Sequence, residues 1–363
     1  RTAAFVGTQA RGFVGAHRGF GRGFEVYRHE PHPPAPLEGL VGRMLHRIVL
    51  ARLRHGVGAA SGQVDAAARW LRAHADEPFL LFVHLYDVHS KSSGLPYDAP
   101  TPFRERTCPD LPASFDGCAA GRCASSRLHA AQEGEAPPPA ADELAHVRCL
   151  YDAGVAYADA ETGRLLDVLE AAGAAGRTLV VVTSDHGEAF LEHGHLLHTH
   201  LHEEVARIPL LVRGPGVRPG TRVATPVRLA DVAPTVLALA GLPAPEGMDG
   251  PGLETALREG REPAPRAVHA RGREALLRLG RFKLLAPRSP EARPAALYDL
   301  ARDPGERENL LTDAPAAVRR RLEGALARLE AATSDADAPG AAQGVALSAA
   351  DRRRLRALGY VVD

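Results

Sequence analysis

The run Thr178-Leu179-Val180-Val181-Val182-Thr183 is short, apolar and β-branched, and Ser184-Asp185-His186-Gly187-Glu188 follows it directly. A continuous apolar run suits a strand covered on both faces, which is the situation inside a parallel sheet flanked by helices. In open α/β sheets, ligands bind beyond the carboxyl ends of the strands. A carboxylate and an imidazole at that position can both reach one cation, and Gly187 lets the backbone turn tightly beside them. The plain alternative is a strand-end turn whose Asp caps the next helix.

A second run of this kind, Phe79-Leu80-Leu81-Phe82-Val83-His84-Leu85, ends in Tyr86-Asp87-Val88-His89. Two strands therefore deliver histidines and aspartates to one sheet edge. His89 could donate to an oxyanion or protonate a leaving group, or it could be an ordinary loop histidine. A third feature packs five histidines into ten residues, His193, His195, His198, His200 and His202, followed by Glu203 and Glu204. The spacing is not that of a His-Glu-x-x-His zinc helix. A loop of histidines around an anionic substrate fits equally well, with about two of the five at the site and the others expected in solvent.

Around these runs the chain alternates strand and helix. Strands are expected at 2–7, 178–183 and 208–212, and helices at 41–54, 63–75, 142–172 and 231–240. Residues 8–40, rich in Gly, Arg, His and Pro, and residues 90–140 are read as irregular. A hairpin turning at Leu279-Gly280-Arg281, a strand at 296–300 and a charged amphipathic helix at 318–331 follow. The expectation is an α/β fold, a large, mostly parallel mixed sheet sandwiched between helices, with a smaller C-terminal antiparallel sheet plus helix. The division expected is 1–259 for the α/β domain, with an insertion at 90–140, and 260–363 for the smaller subdomain.

Lysine plus arginine equals aspartate plus glutamate, 44 each, so bulk charge argues against a nucleic-acid partner. No run reaches the roughly 18 apolar residues of a membrane helix. Cys108, Cys118 and Cys123 cluster in the irregular stretch and Cys149 lies on a predicted helix; the spacing does not suit zinc, and one disulfide within the loop is expected.

In order and spacing, several segments together resemble the sulfatases of the alkaline phosphatase superfamily, in their bacterial form. They are Arg1–Gly7, Gly19–Tyr27, Pro78–His89, Tyr151–Leu169, Leu179–Glu188, Glu203–Gly216, Asp231–Gly241, Leu297–Leu310 and Leu358-Gly359-Tyr360. The resemblance implies hydrolysis of a sulfuric ester on a sulfated small molecule or glycan. It implies Asp185 and His186 as two ligands of a calcium ion, His89 as a catalytic histidine on the sulfate, and His198 as a second catalytic contact. His200 is the fallback for His198 in binding substrate. A periplasmic, secreted or lipid-anchored location goes with the family and the cysteines.

The family's nucleophile is a Ser, or a Cys oxidised to formylglycine, in Cys/Ser-x-Pro/Ala-x-Arg. That motif and the paired aspartates completing the metal site are expected upstream of Arg1, since the chain opens on what reads as the interior of a strand. Within the chain the motif is read as absent, with Cys123-Ala124-Ser125-Ser126-Arg127 a near miss in the wrong place. The 363 residues alone are therefore expected to be inactive. Val6-Gly7-Thr8-Gln9 also lacks the Lys and His that many members carry there. Cleavage or transfer of phosphate or phosphonate esters by the same superfamily, and a non-catalytic binding homologue, are the alternatives.

Overall fold

The computed structural model describes residues 1–9, 16, 19–30, 59–90, 97, 99–112, 118–119, 122–289 and 292–336. The helix expected at 41–54 and the Leu358-Gly359-Tyr360 ending lie outside the described residues. The chain divides into two compact units, Arg1–Gly176 and Arg177–Asp363.

In the first unit, β1 (Thr2–Gln9) lies between β2 (Val26–Glu30) and β3 (Leu80–His84), parallel to both. A central strand loses water on both faces, and Ala3, Ala4, Phe5 and Val6 are each at most 1% exposed. Helix α1 (Ala59–His74) covers the sheet, with Ala67 against Ala3 and Phe5 and with Trp70 at the margin. Gly7 is required by close approach, since a Cβ there would sit 2.9 Å from the His84 carbonyl oxygen. The stretch read as loop at 8–40 thus contains β2 and the end of β1. Alternation was too short there to stand out against the Gly and Arg background.

The expected insertion is not wholly irregular either. It holds α2 (Thr101–Thr107), the two-residue strands β4 (Cys118–Ala119) and β5 (Arg122–Cys123), and α3 (Ala124–Gln132). Pro sits in the first turn of α2, where its missing N–H costs nothing. The 31-residue α4 (Ala141–Ala171) follows. Tyr157 on α4 packs with Ala60, Ala99 and Ala153, and its hydroxyl accepts from the Ser61 amide at 2.8 Å. The disulfide joins Cys108, after α2, to Cys149 on α4. It is not the within-loop bond expected, because it ties the insertion to the long helix.

The second unit starts with β6 (Val180–Thr183), antiparallel to β9 (Leu210–Arg213). Between them, β7 (Ala189–Phe190) and β8 (Leu196–Leu197) form a small ladder, followed by the single turn α5 (Glu203–Ala206). Helices α6 (Val232–Leu239) and α7 (Glu254–Glu259) come next. The antiparallel sheet β10 (Val268–Arg271), β11 (Glu274–Leu279), β12 (Phe282–Pro287) and β13 (Ala296–Asp299) runs in sequence order. Strands β11, β12 and β13 are buried in continuous runs, as a sheet covered on both faces requires, with successive side chains on opposite faces. Leu277, Leu284 and Leu297 meet Leu322 and Leu326 of α8 (Ala316–Ala336), while Leu276, Leu285 and Tyr298 meet Leu201 and Ala206.

The Cys108–Cys149 bond closes a loop of 41 residues. Replacing Cys149 with Ala is expected to lower unfolding stability by about 3–4 kcal/mol in an oxidising buffer. Denaturant unfolding checks this: variant and fully reduced wild type should coincide, and an unchanged midpoint would show that the bond does not stabilise the fold.

Candidate functional site

Asp185 and His186 leave β6 at its carboxyl end, where the sequence predicted them. The Asp185 side chain is 71% exposed and its Oδ1 accepts from the His186 amide at 3.0 Å, while Oδ2 lies 3.8 Å from His186 Nε2. His186 Nδ1 donates to the Gly187 carbonyl oxygen at 2.8 Å. That bond holds the tautomer in which Nε2 carries the lone pair, as a metal-binding imidazole requires. A carboxylate oxygen and an oriented imidazole nitrogen fit a divalent cation, and the carboxylate suits a hard one.

Gly187 has a different role from the tight turn expected, because its φ is not positive. Its amide donates to the Val205 carbonyl at 2.8 Å, and a Cβ on it would lie 2.1 Å from the Glu204 carbonyl oxygen. Strand end and α5 approach through this one position. The same approach brings the histidine loop alongside: His198 stacks on His186 with centroids 4.1 Å apart. His198 Nδ1 donates to Glu188 Oε1 at 3.1 Å, with both side chains at most 4% exposed. Glu188 thus fixes the His198 ring. Glu188 ends the strand motif in the sequence, where nothing local announces that its side chain is buried.

His200 is placed elsewhere. It is 4% exposed and accepts through Nδ1 from the His202 amide at 3.2 Å. His202 is 1% exposed and its Nε2 lies 3.2 Å from the Tyr298 hydroxyl on β13. His193 stacks on His202 at 3.9 Å, with Nδ1 2.6 Å from Glu204 Oε1 and Nε2 3.2 Å from the Glu306 carbonyl. Histidines expected in solvent are therefore buried against the C-terminal sheet. Beside them Lys283, fully buried, binds Glu203 at 2.9 Å and Glu306 at 2.8 Å. Burial lowers the pKa of His200 to about 3 and of His202 to about 2, and neighbouring positive charges add to this.

In the first unit, His89 follows β3. Its ring stacks on Tyr86 at 4.4 Å and its Nδ1 lies 2.7 Å from the Ser90 carbonyl. Asp87 beside it is buried at 3% exposure.

The nucleophile motif needs a correction. Cys118-Ala119-Ala120-Gly121-Arg122 does match Cys-x-Ala-x-Arg as a string, and Ser348-Ala349-Ala350-Asp351-Arg352 matches Ser-x-Ala-x-Arg. The first spans the β4–β5 turn, where Cys118 lies opposite Cys123, rather than the stretch preceding Arg1 that the resemblance implies. The second lies outside the described residues.

The model of the sulfatase family matches residues 63–242, and that of the N-sulphoglucosamine sulphohydrolase C-terminal region matches 191–332. The chain belongs to the sulfatase family. A curated relative, arylsulfatase K of Danio rerio, is 31% identical over 185 residues, covering 48% of this chain and 35% of that protein. The chain thus spans about a third of the length of the curated relatives it matches. Among solved structures, a protein in complex with its substrate D-glucosamine-2-N,6-O-disulfate aligns at TM-score 0.62 and 21% identity, covering 77% of this chain and 71% of the other. A phosphonate monoester hydrolase of Agrobacterium radiobacter aligns at TM-score 0.62 and 22% identity, covering 91% and 78%. These two likenesses are of fold, the α/β fold of sulfatases with its C-terminal antiparallel sheet.

The buried histidines set a pH dependence. Free histidine titrates near 6.5, so above that pH neither folded nor unfolded chain is charged at His200 or His202. Below it the unfolded chain takes up protons that the fold excludes, and stability falls as pH drops from about 6.5 toward 4. At pH 5 the loss is expected to be about 2 kcal/mol per histidine. Denaturant unfolding in chelator at pH 7 and pH 5 measures it. His200→Asn, which retains an acceptor for the His202 amide, should shrink the difference; an undiminished difference would place the effect elsewhere.

Proposed function

We propose that the full-length protein hydrolyses sulfuric esters, with Asp185 and His186 as two ligands of a calcium ion. The observation that carries this is Asp185 and His186 side by side at the end of β6, with His198 stacked on His186 and fixed by Glu188. Family membership supports the same reading.

The cation would supply positive charge to the sulfuryl oxygens. As an imidazolium with Nδ1–H held by Glu188, His198 would present Nε2–H as a donor to an ester or sulfate oxygen. His89 is assigned from the family resemblance: with Nδ1–H donating to the Ser90 carbonyl, its imidazolium form carries a second proton on Nε2, which passes to the departing alcohol. An alkoxide is a poor leaving group near neutral pH, so this proton transfer matters to the rate. His200, buried and uncharged, is the weaker choice for contacting substrate, and its part is structural.

The nucleophile, a formylglycine or Ser, is supplied by sequence beyond these 363 residues in this reading, and the isolated chain does not turn over substrate. A sulfated small molecule or glycan is the substrate class, and an exported location fits the Cys108–Cys149 disulfide.

The test compares the full-length protein with the isolated chain on an aryl sulfate, an aryl phosphate and a phosphonate monoester. Full-length protein should prefer the sulfate, His198→Ala should lower its kcat/KM by about 100-fold or more, and the isolated chain should stay at background. Preference for a phosphorus ester would replace the substrate class. Turnover by the isolated chain would remove the external nucleophile.

A further inference from the structure

We propose that His193, His202 and Glu204, with His200 beside them, form a second metal site, one that takes zinc and is separate from Asp185 and His186. The donor atoms of His193, His202 and Glu204 all lie within 4.8 Å of one another. His200 Nε2 points at the same Glu204 Oε1 from 3.6 Å, beyond hydrogen-bond length. It has no hydrogen-bond partner among the described residues, although the residue is buried. Buried polar atoms are nearly always satisfied. An imidazole nitrogen aimed past bonding distance at a carboxylate that another imidazole already engages marks the place for a cation.

The chemistry selects the ion. Imidazole nitrogens with one carboxylate suit zinc, whereas calcium and magnesium take mainly oxygen ligands. The outer contacts are those that orient zinc-binding histidines. His193 Nε2 donates to the Glu306 carbonyl at 3.2 Å, which directs Nδ1 to the site, and the Tyr298 hydroxyl holds His202 Nε2 at 3.2 Å. In the metal-free state His193 and Glu204 share a proton across 2.6 Å. Zinc replaces that proton, which leaves to solvent. The rings of His193 and His202 lie nearly parallel, 17° apart, so binding turns His193 out of the stack.

Such an ion is structural. It ties the β7–β8 turn, through His193, to the loop between β8 and α5, and that loop carries His198. Glu204 is also the residue whose carbonyl Gly187 abuts. Zinc would therefore brace the site without reaching substrate.

The test uses the full 363-residue chain, stripped with chelator and titrated with zinc chloride or calcium chloride by calorimetry, with metal content by mass spectrometry. One zinc per chain is expected, with proton release, and it should persist in Asp185→Asn. Glu204→Gln and His193→Asn should weaken it at least about tenfold while far-ultraviolet circular dichroism stays that of the wild type. Cobalt(II) added to wild type should give the intense visible bands of a tetrahedral site. That reading stands whether or not the variants fold. No cobalt bands and no zinc uptake by the folded wild type would overturn the proposal, as would zinc binding unchanged in both Glu204→Gln and His193→Asn.

Discussion

The contact between Gly187 and the backbone of Glu204 and Val205 is the constraint on which the candidate site depends. A single hydrogen bond of 2.8 Å and the absence of a Cβ let the end of β6 sit directly against α5. Any side chain at 187 must displace the Glu204 carbonyl, because 2.1 Å is far inside van der Waals contact. From this approach the rest follows within the second unit. His198 reaches His186, Glu188 reaches His198, and Glu204 turns its carboxylate toward His193.

Behind that contact lies a layer of buried charge and neutral imidazole. Lys283 between Glu203 and Glu306, and the histidines against Tyr298 and the Glu306 carbonyl, join the loop to the C-terminal sheet. Burying such groups is costly unless each is paired, and breaking one pair strands its partner. The C-terminal sheet is therefore part of what shapes the site rather than an appendage to it. Its own stability comes from alternation, with Leu277, Leu284 and Leu297 on α8 and Leu276, Leu285 and Tyr298 toward the loop.

Much of this was legible in the sequence where the signal is local. The apolar runs at 79–85 and 178–183 became β3 and β6, and the helical spacing at 63–75 and 142–172 became α1 and α4. Asp185 and His186 lie at a strand's carboxyl end as expected. What could not be read depends on distant partners. His193 and His202 are buried by residues 113 and 96 positions away, and nothing near them in the chain announces it. The Cys108–Cys149 pairing spans 41 residues, and connectivity does not follow from spacing. Among the described side chains of helix α3, Leu128 alone is a deeply buried apolar residue, so no stripe could be seen. The family was recognisable because many weak segments kept their order, which is information that no single segment holds.

The central claim is that Asp185 and His186 hold a divalent cation in a sulfatase-family fold. Calcium content and affinity of the purified full-length protein, compared between wild type and Asp185→Asn, test it most directly. The account predicts one tightly held calcium in wild type, released or at least about tenfold weaker in a variant that still folds. Calcium retained with unchanged affinity in Asp185→Asn would contradict it.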